Sequence, residues 1–252
     1  MISVVILGAG NVATHLYKAF KISKAVKVIQ WYNRDLEKLK SFKNDVDATD
    51  DISNLKLADL YIISVTDDAI SKISKKLPFE NRLVVHTSGT VNIHDLDKKN
   101  RRGVFYPLQT FSKSVDTDFK NVPVCLETLD KNDYKLLKEL ADSISNKVKK
   151  VNSDQRAALH LGAVFVNNFT NQLYRLAHEI TESTGAEFDM LKPLILETAL
   201  KVQQNSPFRA QTGPALRNDK STIKAHLKRL EKEHHKDVYK MLTQSIKDTH
   251  GK

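Results

Sequence analysis

Near its N-terminus the chain reads Ile2-Ser3-Val4-Val5-Ile6-Leu7-Gly8-Ala9-Gly10-Asn11-Val12-Ala13, an apolar run followed by a glycine-rich turn. The run predicts a strand, and the residues after the turn predict a helix over about residues 12–20. Strand and helix patterns go on alternating to about residue 151, which favours a parallel sheet with right-handed crossovers. After Asn152 the apolar spacing is helical. We therefore predict an α/β fold, with a parallel-sheet domain over residues 1–152 and an all-helical domain over residues 153–252.

The glycine turn also predicts a ligand. Gly8-Ala9-Gly10-Asn11-Val12-Ala13 fits the pattern G-x-G-x-x-G/A between a predicted strand and a predicted helix. Gly8 would permit the tight turn, and Gly10 would let a pyrophosphate approach the backbone. The free N–H groups of Asn11 and Val12 at the start of the helix would hold the phosphates. An accidental glycine turn is the alternative, but the context favours a Rossmann-like dinucleotide site.

The end of the second predicted strand bears on which dinucleotide binds. An acid about 20 residues after the glycine turn is typical of NAD sites, where it holds the ribose 2′-hydroxyl. Here Asn33 and Arg34 occupy that place, and an arginine suits the 2′-phosphate of NADP. Asp35 leaves NAD open as the less favoured cofactor, because a shift of one residue would bring this acid into place. The alternative for Arg34 is a solvated residue in the first turn of the next helix.

The third clear strand is followed by Val65-Thr66-Asp67. Ligands of open α/β sheets lie beyond the carboxyl ends of the strands, so we expect these three residues to border the cofactor ribose and nicotinamide. Asp67 has a second interpretation as a helix N-cap, and both roles can hold together.

The composition excludes several classes of protein. The chain has 252 residues, of which 40% are hydrophobic, one cysteine and a net charge of +10. This balance excludes a disordered chain, and one cysteine excludes a disulfide scaffold. No apolar stretch approaches the roughly 20 residues of a membrane helix, and the N-terminus lacks a basic leader, so we expect a cytoplasmic protein without a membrane partner. The basic residues are scattered beside acids, which favours a solvated surface over a nucleic-acid groove, and a phosphorylated small ligand fits the charge equally well.

Four further segments carry a resemblance. They are Val84-Val85-His86-Thr87-Ser88-Gly89-Thr90, Gly103-Val104-Phe105-Tyr106-Pro107-Leu108-Gln109-Thr110-Phe111, the helix from His160-Leu161 through Val164-Phe165 to Asn168-Phe169, and Thr212-Gly213-Pro214-Ala215-Leu216-Arg217-Asn218-Asp219 with His226-Leu227 after it. In this order they resemble elements of a family of Rossmann-like oxidoreductases that carry a C-terminal helical domain of unknown function, domain of unknown function 2520. The family is similar to pyrroline-5-carboxylate reductases and β-hydroxyacid dehydrogenases. The resemblance implies an NADP-type site and a homodimer formed through the helical domain.

Two positions depart from the patterns of these families. Asn218 stands where the family element has a glycine, and because asparagine tolerates positive φ better than most residues, we expect the turn to survive. The catalytic lysine of β-hydroxyacid dehydrogenases corresponds to Val164, so their lysine-assisted alcohol oxidation does not carry over. Imine reduction by a positioned hydride donor, as in pyrroline-5-carboxylate reductases, demands less of protein acids. A further possibility is that His160 replaces the lysine.

Three residues at the end of the next predicted strand are candidates for chemistry. His86 could act as an acid or a substrate ligand, because the unperturbed pKa of histidine is near neutrality. A histidine bonded to a neighbouring loop carbonyl is an equally weighted alternative. Ser88 and Gly89 could present a hydroxyl and N–H groups to a carboxylate or to the nicotinamide amide, with an ordinary turn as the alternative. The expected substrate-binding residues of the following element are Pro107, Gln109 and Thr110.

The long helix that follows adds further candidates. His160, Val164 and Asn168 recur at i, i+4 and i+8, so they could line a cleft together. We expect His160 and Asn168 to be catalytic, in the cleft between the two domains, with a water-facing stripe as the alternative.

The last candidates lie in the predicted loop that starts at Thr212 and Gly213. There Arg217 could clamp a substrate carboxylate or phosphate in a bidentate fork, or form an ion pair across a dimer. We expect no metal site, since His234 and His235 are assigned to different helix faces and lack partners at ligand spacing.

These patterns predict an NADP-dependent oxidoreductase that transfers a hydride to or from a small polar carbonyl or imine substrate, which we expect to bear a carboxylate. The alternative is a non-catalytic dinucleotide-binding regulator or scaffold, which the valine at position 164 would suit.

Overall fold

An eight-stranded sheet forms the centre of the N-terminal part of the protein. The computed structural model describes residues 1–112 and 115–250. The strands are β1 (Ile2–Leu7), β2 (Val26–Tyr32), β3 (Ala48–Thr49), β4 (Leu60–Ile63), β5 (Leu83–His86), β6 (Arg101–Pro107), β7 (Val124–Thr128) and β8 (Val148–Lys150). Their order is β3-β2-β1-β4-β5-β6-β7-β8. The pairs are parallel except for β6 with β7, which is antiparallel. The predicted α/β fold is thus confirmed, with β7 and β8 running opposite to the other six strands.

Helices cover both faces of this sheet. They are α1 (Asn11–Ile22), α2 (Asp67–Lys76) and α3 (Lys131–Asp142). Short 3-10 helices lie at Leu36–Phe42, Ile52–Asn54, Ile93–Asp95 and Phe119–Asn121. The helix that follows β2, Leu36–Phe42, is thus of the 3-10 type. It begins where the carboxylate of Asp35 accepts the amide N–H of Glu37 over 3.1 Å.

Successive residues of β1 belong to different layers of the core. Val4 and Ile6 pack in one apolar cluster, whereas Val5 and Leu7 pack in another. Because side chains alternate across a strand, this strand is covered on both faces. That burial explains why the sequence shows a continuous apolar run here rather than an alternating one.

The strand order reverses beside β1. The chain runs from β1 outward to β2 and β3, and then returns to β4 on the other side of β1 before it continues to β5 and β6. In open parallel sheets such a switch point leaves a crevice at the carboxyl ends of the two central strands. The crevice therefore lies between the turn after β1 and the turn after β4.

The chain divides into two compact units, Met1–Asn167 and Asn168–Lys252. The later helices are α4 (Ser153–Ala163), a π-helical segment (Val164–Phe169), α5 (Thr170–Glu182), a 3-10 helix (Phe188–Leu191), α6 (Lys192–Gln204), α7 (Pro207–Ala210), α8 (Lys220–Arg229) and α9 (Glu233–His250). Helix α4, which we assigned to the second domain, packs within the first unit. Within residues 1–112 and 115–250, none of the helices combines the length and apolar character that crossing a membrane requires.

Candidate active site

The glycine turn after β1 has the backbone that the sequence predicts. Gly8 has a φ of +112°, and a Cβ on it would lie 2.1 Å from the carbonyl oxygen of Ser64, so only glycine fits. Trp31 holds the turn by donating its Nε1–H to the carbonyl oxygen of Gly8 over 2.6 Å. Gly10 is the N-cap of α1 without a side-chain cap, and a Cβ on it would meet no described atom within 4 Å. The first amides of α1, from Asn11 onward, are therefore open to an anion at the switch point.

The end of β2 presents an arginine and not an acid. Arg34 is exposed, and Asn33 uses its side-chain amide to donate to the carbonyl oxygen of Asp35 over 2.7 Å. The carboxylate of Asp35 already caps the 3-10 helix that follows. Arg34 is therefore the exposed cation after the strand, while the exposed carboxylate of Asp35 is engaged in capping the next helix.

The turn after β4 borders the glycine turn. A Cβ on Gly8 would lie 2.8 Å from Cγ1 of Val65, so Val65 lies against the turn. Thr66 is the N-cap of α2, and Asp67 is the first residue of the helix. The N-cap is therefore Thr66 and not Asp67, which the sequence had suggested. The carboxylate of Asp67 instead accepts the hydroxyl of Thr90 over 2.5 Å. Asp67 thereby links the turns after β4 and β5.

Ser88 forms a turn. It is buried, and its hydroxyl oxygen accepts the amide N–H groups of Thr90 over 3.1 Å and of Val91 over 3.0 Å. These bonds correspond to the ordinary-turn alternative and occupy the hydroxyl that we expected to face a substrate.

His86 is fully buried at the end of β5. Its Nδ1 accepts the amide N–H of Ser88 over 3.2 Å, and its Nε2 has no hydrogen bond of normal geometry to a described residue. Burial, followed by the positive charge of Arg156, lowers the pKa of His86 to about 3, against smaller opposite effects of Asp67 and the Asn92 backbone. The imidazole is therefore neutral at pH 7. The ring bonds a loop amide and not the loop carbonyl of the alternative interpretation, and a buried neutral imidazole is a poor proton donor.

His160 contacts two residues of the sheet edge. Its Nδ1 lies 3.0 Å from the hydroxyl oxygen of Tyr106, near the end of β6. The ring also lies close to Gly89, where a Cβ would be only 2.5 Å from Nδ1. Burial raises the pKa of Tyr106 to about 12. The structure thus brings the predicted residues Gly89 and His160 together, and it adds a tyrosine that the sequence interpretation missed.

A buried ion pair anchors α4 beneath His160. Arg156, four residues earlier, is fully buried and donates to the carboxylate of Glu127 and to the carbonyl oxygen of Val91. Ser153 donates to the same carboxylate over 3.0 Å. A buried ion pair in which both partners are hydrogen-bonded fixes the helix against β7 and the loop after β5. In the sequence, the one signal for this ion pair was an arginine four residues before His160.

The loop after β6 meets the glycine turn. The side-chain amide of Asn11 donates to the carbonyl oxygen of Phe111 over 2.8 Å. The amide N–H of Thr110 donates to Oε1 of Gln109 over 2.8 Å, and Pro107 is the last residue of β6. The predicted substrate loop and the predicted phosphate turn therefore lie side by side.

The remaining predicted residues belong to the second unit. Asn168 lies in the π-helical segment, a helix type that is often found at functional sites. Thr212, Gly213 and Arg217 lie in the turn that precedes α8, where the amide N–H of Arg217 donates to the carbonyl oxygen of Gly213. Asn218 has a φ of +53°, which confirms that asparagine supports the turn in place of glycine. The roles of these residues toward a substrate stay predictions.

His234 and His235 have a partner at ligand spacing, contrary to our expectation. His234 and His235 have ring centroids 4.3 Å apart, and Glu179 from α5 joins them with ligand atoms all within 4.8 Å of one another. The sequence argument missed this carboxylate because it comes from another helix. However, Lys232 donates to Glu179 over 2.7 Å and Arg175 over 3.1 Å. Both cations lower the pKa of Glu179 to about 2 and already neutralise its charge.

Comparisons with known proteins agree with this architecture. A domain of unknown function, DUF2520, matches residues 122–246. A solved structure from Bacteroides fragilis, described as a "putative NADP oxidoreductase", is 37% identical, with a TM-score of 0.87 over 98% of both chains. A protein from Thermotoga maritima is 19% identical, with a TM-score of 0.75 and the same coverage. An imine reductase from Myxococcus stipitatus in complex with NADP+ is 15% identical, with a TM-score of 0.67 over 98% of this chain and 93% of that one. No curated protein sequence matches this chain significantly.

The last two structures share the fold alone, because their identities are low. The Bacteroides fragilis protein is similar over nearly the whole chain, and the DUF2520 match covers the region where the helical elements of the resemblance lie. The chain therefore belongs to the family of Rossmann-like oxidoreductases that carry the C-terminal domain DUF2520.

Proposed function

We propose that this protein is an NADP-dependent oxidoreductase that transfers a hydride to or from a small carbonyl or imine substrate bearing a carboxylate. The observation that carries the proposal is the glycine turn. Gly8 cannot bear a side chain, and Gly10 leaves the first amides of α1 uncapped beside the switch point of the sheet. A pyrophosphate fits such a turn, since it needs N–H donors, a helix dipole and no intervening side chain.

The choice of NADP rests on the end of β2. Arg34 is exposed there, and an arginine can bind the 2′-phosphate that NAD lacks. We expect Arg34→Ala to weaken NADPH binding about tenfold or more, because a charge-assisted hydrogen bond is removed, while NADH binding stays unchanged. Fluorescence titration of both nucleotides measures this. Lys38→Ala, which alters an exposed cation in the adjacent 3-10 helix, is the matched control. Equal weakening of NADPH and NADH would contradict a contact between Arg34 and the 2′-phosphate.

The chain's own part in the chemistry is to orient the substrate and to move one proton. A bound nicotinamide supplies or accepts the hydride. In the reducing direction the substrate carbon gains the hydride, the C=O or C=N π bond opens, and its heteroatom takes a proton. His160 is the candidate proton carrier, because it is half-buried and hydrogen-bonded to Tyr106 near the carboxyl edge of the sheet. The buried, neutral His86 is a poorer candidate.

We assign the substrate carboxylate to Arg217 of the second unit, with Asn168 as a further polar contact. Arg217 lies in a turn whose backbone is fixed by the positive φ values of Gly213 and Asn218. Its planar guanidinium suits bidentate binding of a carboxylate. Arg217→Lys should therefore raise the KM of a carboxylate substrate while cofactor binding stays unchanged, as steady-state kinetics and NADPH titration can establish.

We also propose that the protein is a homodimer formed through the second unit. Helix α6 exposes Leu194, Leu196, Leu200 and Val202, which point to several sides of the helix, and Met241 and Leu242 of α9 are exposed too. An exposed apolar surface of this extent is typical of an interface. A second copy of this chain is the partner that the family resemblance implies. We also keep the cytoplasm as the predicted location of the protein.

A screen of carbonyl and imine compounds, followed by loss of NADPH absorbance, tests the proposed reaction. We expect turnover with carboxylate-bearing compounds, and a large loss of activity in His160→Gln and Arg217→Lys. Activity that neither substitution changes would contradict the assigned site. Bound NADPH without turnover across the whole screen would favour a dinucleotide-binding regulator instead.

A further inference from the structure

The ring of His160 contacts two residues, Tyr106 and Gly89, and the sequence shows neither contact. Tyr106 is buried, and its hydroxyl lies 3.0 Å from Nδ1 of His160. The two rings meet edge to face, with an interplanar angle of 64° and centroids 6.0 Å apart. A hydrogen bond combined with this packing restricts both the position of the ring and its rotation.

Gly89 is the second residue that lies close to His160. A Cβ at Gly89 would lie 2.5 Å from Nδ1, 2.6 Å from Cγ and 2.8 Å from Cβ of His160. Since the clash reaches the first side-chain atom, rotation of the imidazole would not relieve it. Gly89 is not among the glycines with positive φ, so its backbone does not demand glycine. The space taken by His160 is what excludes a side chain here.

The helix that carries His160 is fixed as well. Arg156 lies one turn earlier on α4 and is anchored by Glu127 and Val91. The imidazole therefore has little freedom to escape the two contacts by a shift of the helix.

We infer that Tyr106 and Gly89 are positioning residues that hold the imidazole of His160 in one orientation and one tautomer, with Nδ1 accepting from the tyrosine and the proton on Nε2. Because burial raises the pKa of Tyr106 to about 12, its hydroxyl keeps its proton at neutral pH, and we assign that proton to the bond with Nδ1. A neutral imidazole that accepts at Nδ1 carries its proton on Nε2. The catalytic meaning of this arrangement rests on the proposed function, whereas the tautomer does not.

The test is 15N NMR of the full-length, histidine-labelled protein at pH 8 without ligand, with His160→Gln to assign the resonances. We expect His160 Nδ1 to show the shift of a hydrogen-bonded, unprotonated nitrogen and Nε2 that of a protonated one. In Tyr106→Phe the Nδ1 resonance should move toward the shift of an unbonded nitrogen that averages over both tautomers. Gly89→Ala should change the same resonances, because the added methyl displaces the ring.

Two matched variants are the controls. Tyr134→Phe removes a hydroxyl on α3, and Gly162→Ala adds a methyl on α4 where a Cβ meets no described atom within 4 Å. Both should leave the His160 resonances unchanged. A wild-type Nδ1 that carries the proton, or a Tyr106→Phe spectrum identical to the wild type, would overturn the inference.

Kinetics separates this inference from the proposed function. With any substrate found in the screen, Tyr106→Phe should lower kcat about fivefold without changing the KM for NADPH, as expected for one lost hydrogen bond to the proton carrier. The predicted tautomer without any turnover would contradict the proposed reaction and leave the positioning intact. Full activity of Tyr106→Phe would overturn the inference even where turnover supports the reaction.

Discussion

Acid should destabilise this protein in part through His86. Burial lowers the pKa of His86 from 6.5 to about 3, so between these values the unfolded chain binds a proton that the folded protein excludes. Above pH 6.5 the buried His86 therefore costs no stability. As the pH decreases from 6.5 toward 3, the free energy of unfolding falls. For these two pKa values, proton linkage gives a loss of about 2 kcal/mol between pH 7 and pH 5.

Urea unfolding of the wild type and of His86→Asn at pH 7 and pH 5 measures this contribution. The wild type should lose about 2 kcal/mol more on acidification than the variant, which has no imidazole at this position. Only the change between the two pH values is compared, so a general loss of stability in the variant does not affect the test. His94→Asn alters an exposed histidine and should behave as the wild type does. Equal losses in the wild type and His86→Asn would refute the reasoning that burial keeps His86 neutral.

Three further predictions follow from the packing. Gly8→Ala should lower the free energy of unfolding by more than the roughly 1–2 kcal/mol of left-handed strain, because its Cβ meets the Ser64 carbonyl. Gly10→Ala should keep the stability of the wild type but lose affinity for NADPH. Urea unfolding measures the first effect, and urea unfolding with NADPH titration measures the second. Arg156→Met should cost about 3–5 kcal/mol by leaving the carboxylate of Glu127 without its partner, and adding Glu127→Gln should restore part of the loss in a double-mutant cycle. Leu196→Glu should convert the proposed dimer to a monomer in light scattering, with Gln203→Glu on the same helix as the control, and a wild-type monomer would contradict the dimer.

The dinucleotide turn was predictable because its determinants are local. Gly8 and Gly10 lie within one turn between a strand and a helix, and the alternation of elements predicts the parallel strands that flank the turn. The positive φ of Asn218 was predictable for the same reason, since it depends on one residue type in one turn.

The buried polar contacts were not predictable, because they join distant parts of the chain. Arg156 pairs with a carboxylate 29 residues away, and Tyr106 meets a histidine 54 residues away. Periodicity places each residue on its own element but does not say which elements meet. The reversed direction of β7 and the approach of Glu179 to His235 escaped the sequence argument for the same reason.

The environment of His86 shows another limit of sequence analysis. Its position at the end of a strand suggested an edge site, but whether such a residue opens to solvent depends on the turn behind it. Here the turn of Ser88 folds back and donates its amide N–H to the imidazole. The chemistry of His86 depends on its burial, which the sequence pattern alone does not reveal.

The central claim is that the turn of Gly8 and Gly10 binds the diphosphate of a nicotinamide nucleotide. Calorimetric titration of NADPH into the folded wild-type protein tests it most directly. We expect saturable binding of one nucleotide per chain, tighter for NADPH than for NADH, and strongly weakened in Gly10→Ala. A folded protein that takes up neither nucleotide would contradict it.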